Sequence, residues 1–385
     1  MSLSRRASLA LPSSSKSMHV SSFTLPDLVS HCTFPLTYHP AGDAVAKDSL
    51  AWLLSFTGHL SARKRGKMAH LLAGELTAYC YPNCPAFELR VVSDFMNYLF
   101  HLDDVSDGLI ARDAGGLGRR VMHALEHPDA YVPLEGLEGE EEIGAARIAR
   151  DFWSRCIRDA RPGVQARFKE SMRLFFDAVE RQARDRAAGD VPDLESYIEV
   201  RRDTSGCKPV FDLIEYSLGF ELPAEVITHP VVVALNQGAN DLVTWSNDIF
   251  SYNKEQARDD THNMVAIFMQ HDGLSLQEAI DRVGELCKDT IDGFVENQAR
   301  LPSWGPEVDA MVQGYVRGLQ DWIVGSLHWS FMTTRYFGDA GAEVKKGRTV
   351  AVAELELTAL RRVWLAAVGV TRTKRTGFYR IFFPF

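Results

Sequence analysis

Cysteine is scarce, with six in 385 residues, at Cys32, Cys80, Cys84, Cys156, Cys207 and Cys287. That is too few for a disulfide scaffold. Only Cys80 and Cys84 lie close together, and no CxxC or Cys/His cluster accompanies them, so structural zinc is not expected. Buried free thiols in a reducing compartment, the cytoplasm, are the expectation. Positive charge is in deficit, with 42 Lys and Arg against 51 Asp and Glu and a net charge of −9. A non-specific nucleic-acid binder needs a basic field, which this balance denies. No apolar run approaches the roughly 20 residues that span a bilayer. Strand-like alternation is scarce before residue 345, and neither an internal repeat nor a strong linker is present.

Hydrophobic residues make up 46% of the chain and charged residues 24%. A large core is therefore within reach and wholesale disorder is excluded. Residues 1–22 are Ser-rich and basic, with Arg5, Arg6 and Lys16 and no acid. They have the flavour of a mitochondrial presequence but are read as a disordered tail. From about Lys47 the pattern is helical: Leu50, Leu53, Leu54 and Leu60, then Met68, Leu71, Leu72 and Leu76, recur at spacings of three and four. Ser275 and Glu278 predict a capping box, opening a helix with Ile280, Val283, Cys287, Ile291 and Phe294 on one stripe. Pro230 before an apolar run suits the first turn of a helix. Gly115–Gly116, His127–Pro128 and the acidic run Glu138–Glu142 are read as a loop region. The fold class is all-α, one large antiparallel bundle over residues 23–338. Residues 339–385 form an atypical basic segment that ends in Phe382-Phe383-Pro384-Phe385.

Four constellations carry chemistry. In Asp103-Asp104-Val105-Ser106-Asp107, Asp103 and Asp107 fall at i and i+4 on a helix. Like charges so placed repel unless a cation sits between them, and Mg²⁺ takes oxygen ligands while sharing substrate phosphates. A solvated helix end is the competing reading. In Asn247-Asp248-Ile249-Phe250-Ser251-Tyr252-Asn253-Lys254-Glu255, the residues Asn247, Ser251 and Glu255 stack an amide, a hydroxyl and a carboxylate on one face. That is a second hard-cation pattern, against the alternative of an ordinary polar face. Arg335-Tyr336 offers a guanidinium fork and a hydroxyl suited to phosphate oxygens. Arg201-Arg202-Asp203-Thr204-Ser205-Gly206 holds small and polar residues that interrupt a helix, either at a site or at a plain interhelical turn.

In this order and at these separations the motifs resemble those of class I terpene synthases. Segments such as WSNDIFSYNKEQARDDTHNMV are similar to fungal, particularly basidiomycete, sesquiterpene synthases. The resemblance implies a helical bundle around a central apolar pocket and a metal-dependent carbon–oxygen lyase. It implies that Asp103, Asp107, Asn247, Ser251 and Glu255 bind three Mg²⁺. It assigns the diphosphate to Arg202, Lys254, Arg335 and Tyr336. Arg202 is preferred over Arg201 because Ser205 and Gly206 then fall at the family's linker and effector positions. Phe100, Trp329, Phe95 and Phe331 are the expected pocket-lining aromatics. His101 and His328 lie near the motifs and are read as structural.

The substrate so implied is farnesyl diphosphate, cyclised with release of diphosphate, by 1,11-closure in the group that includes protoilludene synthases. The alternatives are a synthase forming an acyclic or monoterpene alcohol of the nerolidol or linalool type, a prenyl-elongating transferase, and a decayed helical binding module. A transferase would carry two aspartate-rich motifs, whereas the second site here reads N-x-x-x-S-x-x-x-E. Monomer and homodimer are both open.

Overall fold

Apolar side chains at three- and four-residue spacing build helix after helix along this chain. The computed structural model describes residues 22–353 apart from 59, 107–110, 130–139, 189–190 and 259. Asp107, the tail before residue 22 and the segment 354–385 thus lie outside the described residues. Among those described, the helices are α1 (Leu28–His31), α2 (Gly42–Phe56), α3 (Ala62–Ala69), α4 (Ala73–Cys80), α5 (Ala86–Ser106) and α6 (Ala111–Glu126). They continue as α7 (Glu140–Cys156), α8 (Pro162–Ala188), α9 (Leu194–Thr204), α10 (Cys207–Leu218), α11 (Ala224–Ile227) and α12 (Pro230–Ala257). The last are α13 (Met264–His271), α14 (Leu276–Ala299), α15 (Pro306–Trp329), α16 (Thr334–Phe337) and α17 (Gly341–Gly347). The fold is therefore all-α in substance, as the periodicity predicts.

Local signals set several boundaries. Ser275 and Glu278 form the reciprocal capping box at the start of α14, whose buried stripe includes Ile280, Val283, Cys287, Ile291 and Phe294. Pro230 opens α12 at a position where its missing N–H costs nothing. Gly115–Gly116 does not form a loop: both residues lie inside α6. The cause is packing, because α6 lies close against α8, and a Cβ at Gly118 would sit 2.9 Å from the Phe176 Cβ. Likewise the acidic run reaches into α7, which starts at Glu140. All six cysteines are free and buried. No helix of the described residues is long and apolar enough to cross a membrane.

The architecture is a bundle in which α5 is nearly enclosed, packed by α2, α4, α7 and α10. On the other side α12 packs on α14, α15 and α13. α15 closes the ring by touching α4, α10 and α12. Strand-like alternation is scarce before residue 345, yet β1 (Ser22–Thr24) pairs antiparallel with β2 (Thr349–Ala351), Phe23 opposite Val350. The Asn253 side chain on α12 donates to the Ala351 carbonyl (2.9 Å) and accepts from the Ala353 N–H (2.8 Å). Residues 339–353 are thus folded onto the bundle through α17 and β2.

Candidate active site

One cavity of about 440 Å³ lies between α5, α9, α10, α12 and α15. That is within the usual size of a small-molecule site. Each helix presents a single stripe to it. From α5 come Met96, Leu99, Phe100 and Asp103, spaced at three, one and three residues as a helical face requires. From α12 come Val243, Asn247, Ser251, Lys254 and Glu255. From α15 come Trp322, Ser326 and Trp329, with Ser330 at its C-cap. Along α5 the apolar Met96, Leu99 and Phe100 precede Asp103, and along α12 Val243 precedes Asn247, Ser251 and Glu255, so both helices run from an apolar to a polar lining.

The break predicted at Ser205-Gly206 is real. α9 stops at Thr204 and α10 starts at Cys207, with Gly206 at φ +72°, a left-handed conformation that glycine adopts without strain. A Cβ there would meet the Leu99 Cδ2 of α5 at 2.8 Å, so a larger residue would also push that side chain aside. Thr204, Ser205, Gly206 and Cys207 all border the cavity.

Arg335 and Tyr336 bridge the two polar walls. Thr333 caps the short helix α16. From it the Arg335 Nη2 donates to Asp103 Oδ2 on α5 at 2.9 Å, its guanidinium carbon 5.4 Å from the Phe100 ring centroid. The Tyr336 hydroxyl accepts from Asn247 Nδ2 on α12 at 2.6 Å. Burial opposes the charge of Arg335, but the Asp103 carboxylate outweighs it and holds the guanidinium protonated. Lys254 donates to the Thr334 carbonyl at 3.1 Å. Asp103, Asn247, Ser251, Lys254, Glu255, Arg335 and Tyr336 are therefore gathered around one cavity, as the sequence led us to expect.

The two adjacent arginines are arranged differently from expectation. Arg202 is absent from the cavity lining; its Nε and Nη2 hold the two oxygens of Asp241 at 2.7 and 2.6 Å. Arg201 lines the cavity instead, with Nη2 on Asn247 Oδ1 at 2.9 Å and on Asp248 Oδ1 at 3.0 Å. Successive residues on a helix point about 100° apart, so only one of the pair can face inward. The aromatics divide in the same way. Phe100 and Trp329 line the cavity with ring centroids 5.6 Å apart. Phe95 is turned to the far face of α5, against Phe152 (4.9 Å) and Phe168 (5.0 Å). Phe331 stacks on Phe337 at 5.4 Å beyond the end of α15. Neither Phe95 nor Phe331 borders the cavity.

Sequence reasoning also missed residues at the rim. Lys67, in a basic helix easily taken for a solvated face, lines the mouth and pairs with Asp104 at 3.0 Å. Arg258, Asp260 and His262 line it too. The His262 ring rests on Tyr197 at 4.9 Å, and burial pulls its pKa down to about 4, so the ring is neutral.

The donors present suit a hard divalent cation. Asp103, Asn247, Ser251 and Glu255 offer carboxylate, amide and hydroxyl oxygens, the set that Mg²⁺ prefers. Ser251 Oγ is buried and has no hydrogen-bond partner in the structure. Burial and the neighbouring Asp248 carboxylate push the Glu255 pKa up to about 7, while a hydrogen bond from Asn263 Nδ2 at 2.8 Å restrains the rise. An orphaned oxygen beside a carboxyl held from ionising is a pocket short of positive charge. Among the described residues no three His, Cys, Asp or Glu are grouped as a metal site on their own, so the amide and hydroxyl of α12 would have to serve.

Comparison with known proteins agrees with this geometry. Residues 94–292 match the family model described as terpene synthase family 2, C-terminal metal binding. The chain is 60% identical over 344 residues to the α-muurolene synthase of Coprinopsis cinerea, covering 89% of this chain and 81% of that protein. It is 60% identical over 339 residues to sesquiterpene synthase Agr3 of Cyclocybe aegerita, covering 87% and 95%. The Δ6-protoilludene synthase of the same fungus is more distant, 35% identical over 316 residues, 82% of this chain and 47% of that protein. Germacradien-4-ol synthase from Streptomyces citricolor superposes with a TM-score of 0.66 at 25% identity, covering 77% of this chain and 96% of that one. The chain belongs to the terpene synthase family and is a carbon–oxygen lyase of the class I terpene cyclase type.

Proposed function

We propose that the protein is a Mg²⁺-dependent sesquiterpene synthase that ionises farnesyl diphosphate and cyclises the farnesyl chain. One observation carries the reading. The oxygen donors of α12 and Asp103 of α5 open onto one cavity whose opposite end is apolar and aromatic. A phosphorylated head and a greasy tail need that polarity in that order.

In this reading Asp103, Asn247, Ser251 and Glu255 hold the cations, three in number by family resemblance, with Asp107 expected to join from outside the described residues. Bound Mg²⁺ would neutralise the diphosphate and stabilise charge developing on it as the carbon–oxygen bond breaks. Arg335, Tyr336 and Lys254 bind diphosphate oxygens at the mouth. Arg201 takes the wall position that the family resemblance gave to Arg202, and Arg202 steadies α9 through Asp241. The apolar chamber excludes water from the allylic cation left behind. The faces of Phe100 and Trp329 attract migrating positive charge, an interaction that reaches about 2 kcal/mol when desolvated. The released diphosphate accepts the final proton.

Incubation with farnesyl diphosphate and Mg²⁺, followed by gas chromatography of the volatiles, tests the proposal. A sesquiterpene is the expected result; its absence, with diphosphate release at background, would overturn it. Geranyl diphosphate in parallel tests C10 use and a monoterpene alcohol, and isopentenyl diphosphate consumption tests chain elongation. A 1,11-closure product of the protoilludene type has the weaker support, since the protoilludene synthase is the more distant relative and the α-muurolene synthase the nearer.

A further inference from the structure

We propose that Ser326 and Ser330 are specificity-determining residues of the cyclisation: their hydroxyl oxygens, with no proton left to offer, hold positive charge against α15 and so select the product. The inference rests on the functional reading above and deepens it.

The observation is where their protons go. Ser326 Oγ donates to the Ile323 carbonyl at 3.0 Å, and Ser330 Oγ donates to the Ser326 carbonyl at 2.8 Å. A hydroxyl has one proton and two lone pairs, so each oxygen retains only acceptor character. Both residues border the cavity, one turn apart, and Trp322 and Trp329 share their stripe. The Trp329 N–H is committed as well, to the Leu71 and Leu72 carbonyls at 3.1 and 2.9 Å, which leaves its ring for the chamber. This wall therefore offers oxygen lone pairs and indole rings together, and both attract a cation.

The wall is also closely packed. A Cβ at Gly325 would meet the Cys80 Sγ and the Tyr79 Cβ at 3.1 Å each, and one at Gly318 would meet the Ile214 Cγ2 at 2.5 Å. α15 is thus seated tightly against α4 and α10. Dipoles fixed before the reaction stabilise charge without reorganising during it, which is the condition for choosing among competing cations. Thr244 and Ser246 on α12 likewise donate to backbone carbonyls, at 2.6 and 3.2 Å. They adjoin Asn247, however, so changes there would disturb the diphosphate end as well.

The test compares product profiles from farnesyl diphosphate for Ser326→Ala, Ser330→Ala, Ser326→Thr and Ser330→Thr. Each alanine variant is expected to lower the major product's share about threefold or more, in favour of products of earlier deprotonation. Each threonine variant, which keeps the oxygen, is expected to retain the wild-type profile. Ser326→Cys, of similar size but with a poor acceptor, is expected to follow alanine. Thermal stabilisation by Mg²⁺ with inorganic pyrophosphate should be unchanged in all of them, which separates selectivity from head-group binding. Alanine variants with the wild-type profile would overturn the proposal, as would threonine variants that shift as far as alanine, because shape and not the oxygen would then be responsible. A wild-type protein that forms no terpene would instead sink the functional reading itself.

Discussion

Asp103 on α5 and Glu255 on α12 border the same cavity and are both half-buried, but their partners differ. Asp103 is 40% exposed and already paired with Arg335, and its neighbour Asp104 is paired with Lys67. The Lys67–Asp104 pair is solvent-accessible on both sides and worth about 0–1 kcal/mol, so it can be exchanged for other partners cheaply. On the α12 wall Ser251 is buried, while Asn247 and Glu255 are half-buried. Ser251 has no partner, Glu255 is pushed toward its neutral form, and Asn247 is gripped at both ends by Arg201 and Tyr336. The difference suggests a division of labour. The inner wall is built in advance and lacks only charge, whereas the outer wall can trade its present cations for incoming ones.

The largest effect should come from removing a donor on either wall. Asn247→Ala and Asp103→Ala are each expected to reduce turnover by about a thousandfold or more, several kcal/mol of lost charge stabilisation, with the helical circular dichroism unchanged. Chelation of Mg²⁺ should do the same to wild type. The comparison adds a finer expectation. Thermal stabilisation by Mg²⁺ alone, before any diphosphate, should vanish in Asn247→Ala and Ser251→Ala but persist in Asp103→Ala. Equal loss in all three variants would show that the walls do not differ in this way.

The next effect concerns stability rather than catalysis. Arg201 neutralises Asp248, which is 1% exposed and also accepts from Tyr197. Arg201→Ala would leave that carboxylate buried and unpaired, a loss of about 3–5 kcal/mol measured by denaturant unfolding. Arg202→Ala should cost less, because Arg202 is itself a third exposed at its pair with Asp241. At the outer rim, Lys67→Ala should change stability by no more than about 1 kcal/mol. A Lys67 effect as large as that of Arg201 would erase the contrast between the walls.

What could be read from the sequence, and what could not, follows the same physics. Motifs held within one helix were legible: the i, i+4, i+8 stripe of α12, the capping box of α14 and the glycine break after Ser205 are local rules. Orientation was not. Phe95 and Phe100 lie on one helix that is buried on both sides, so periodicity marks both as core and cannot say which side holds a cavity. Arg201 and Arg202 pose the same problem with charge. Phe331 lies past the end of α15, where helical phase no longer applies. β1 and β2 are three residues each and join the two ends of the described chain, a pairing for which local pattern offers no signal. Gly115–Gly116 misled because glycine marks a turn in one context and a close helix contact in another.

The smallest predicted effect, none at all on the response to Mg²⁺, is a control for the acid at Glu255. Asp212 on α10 resembles it in one respect: burial pushes its pKa up to about 7, although Ser171 donates to it at 2.6 Å. It borders no part of the cavity. The sign of its pH effect is fixed. Below about pH 4 the acid is protonated in both the folded and unfolded states, and its contribution to stability is complete. As pH rises from about 4 to 7 the unfolded chain ionises while the folded one does not, and stability falls by at most about 4 kcal/mol. Asp212→Asn should therefore flatten the pH dependence of the melting temperature between pH 4 and 7. It should leave the stabilisation by Mg²⁺ at pH 7 as in wild type, because that response belongs to the α12 wall. If Asp212→Asn also abolished the Mg²⁺ response, burial of an acid anywhere in the bundle would explain it, and the special status of the inner wall would be lost.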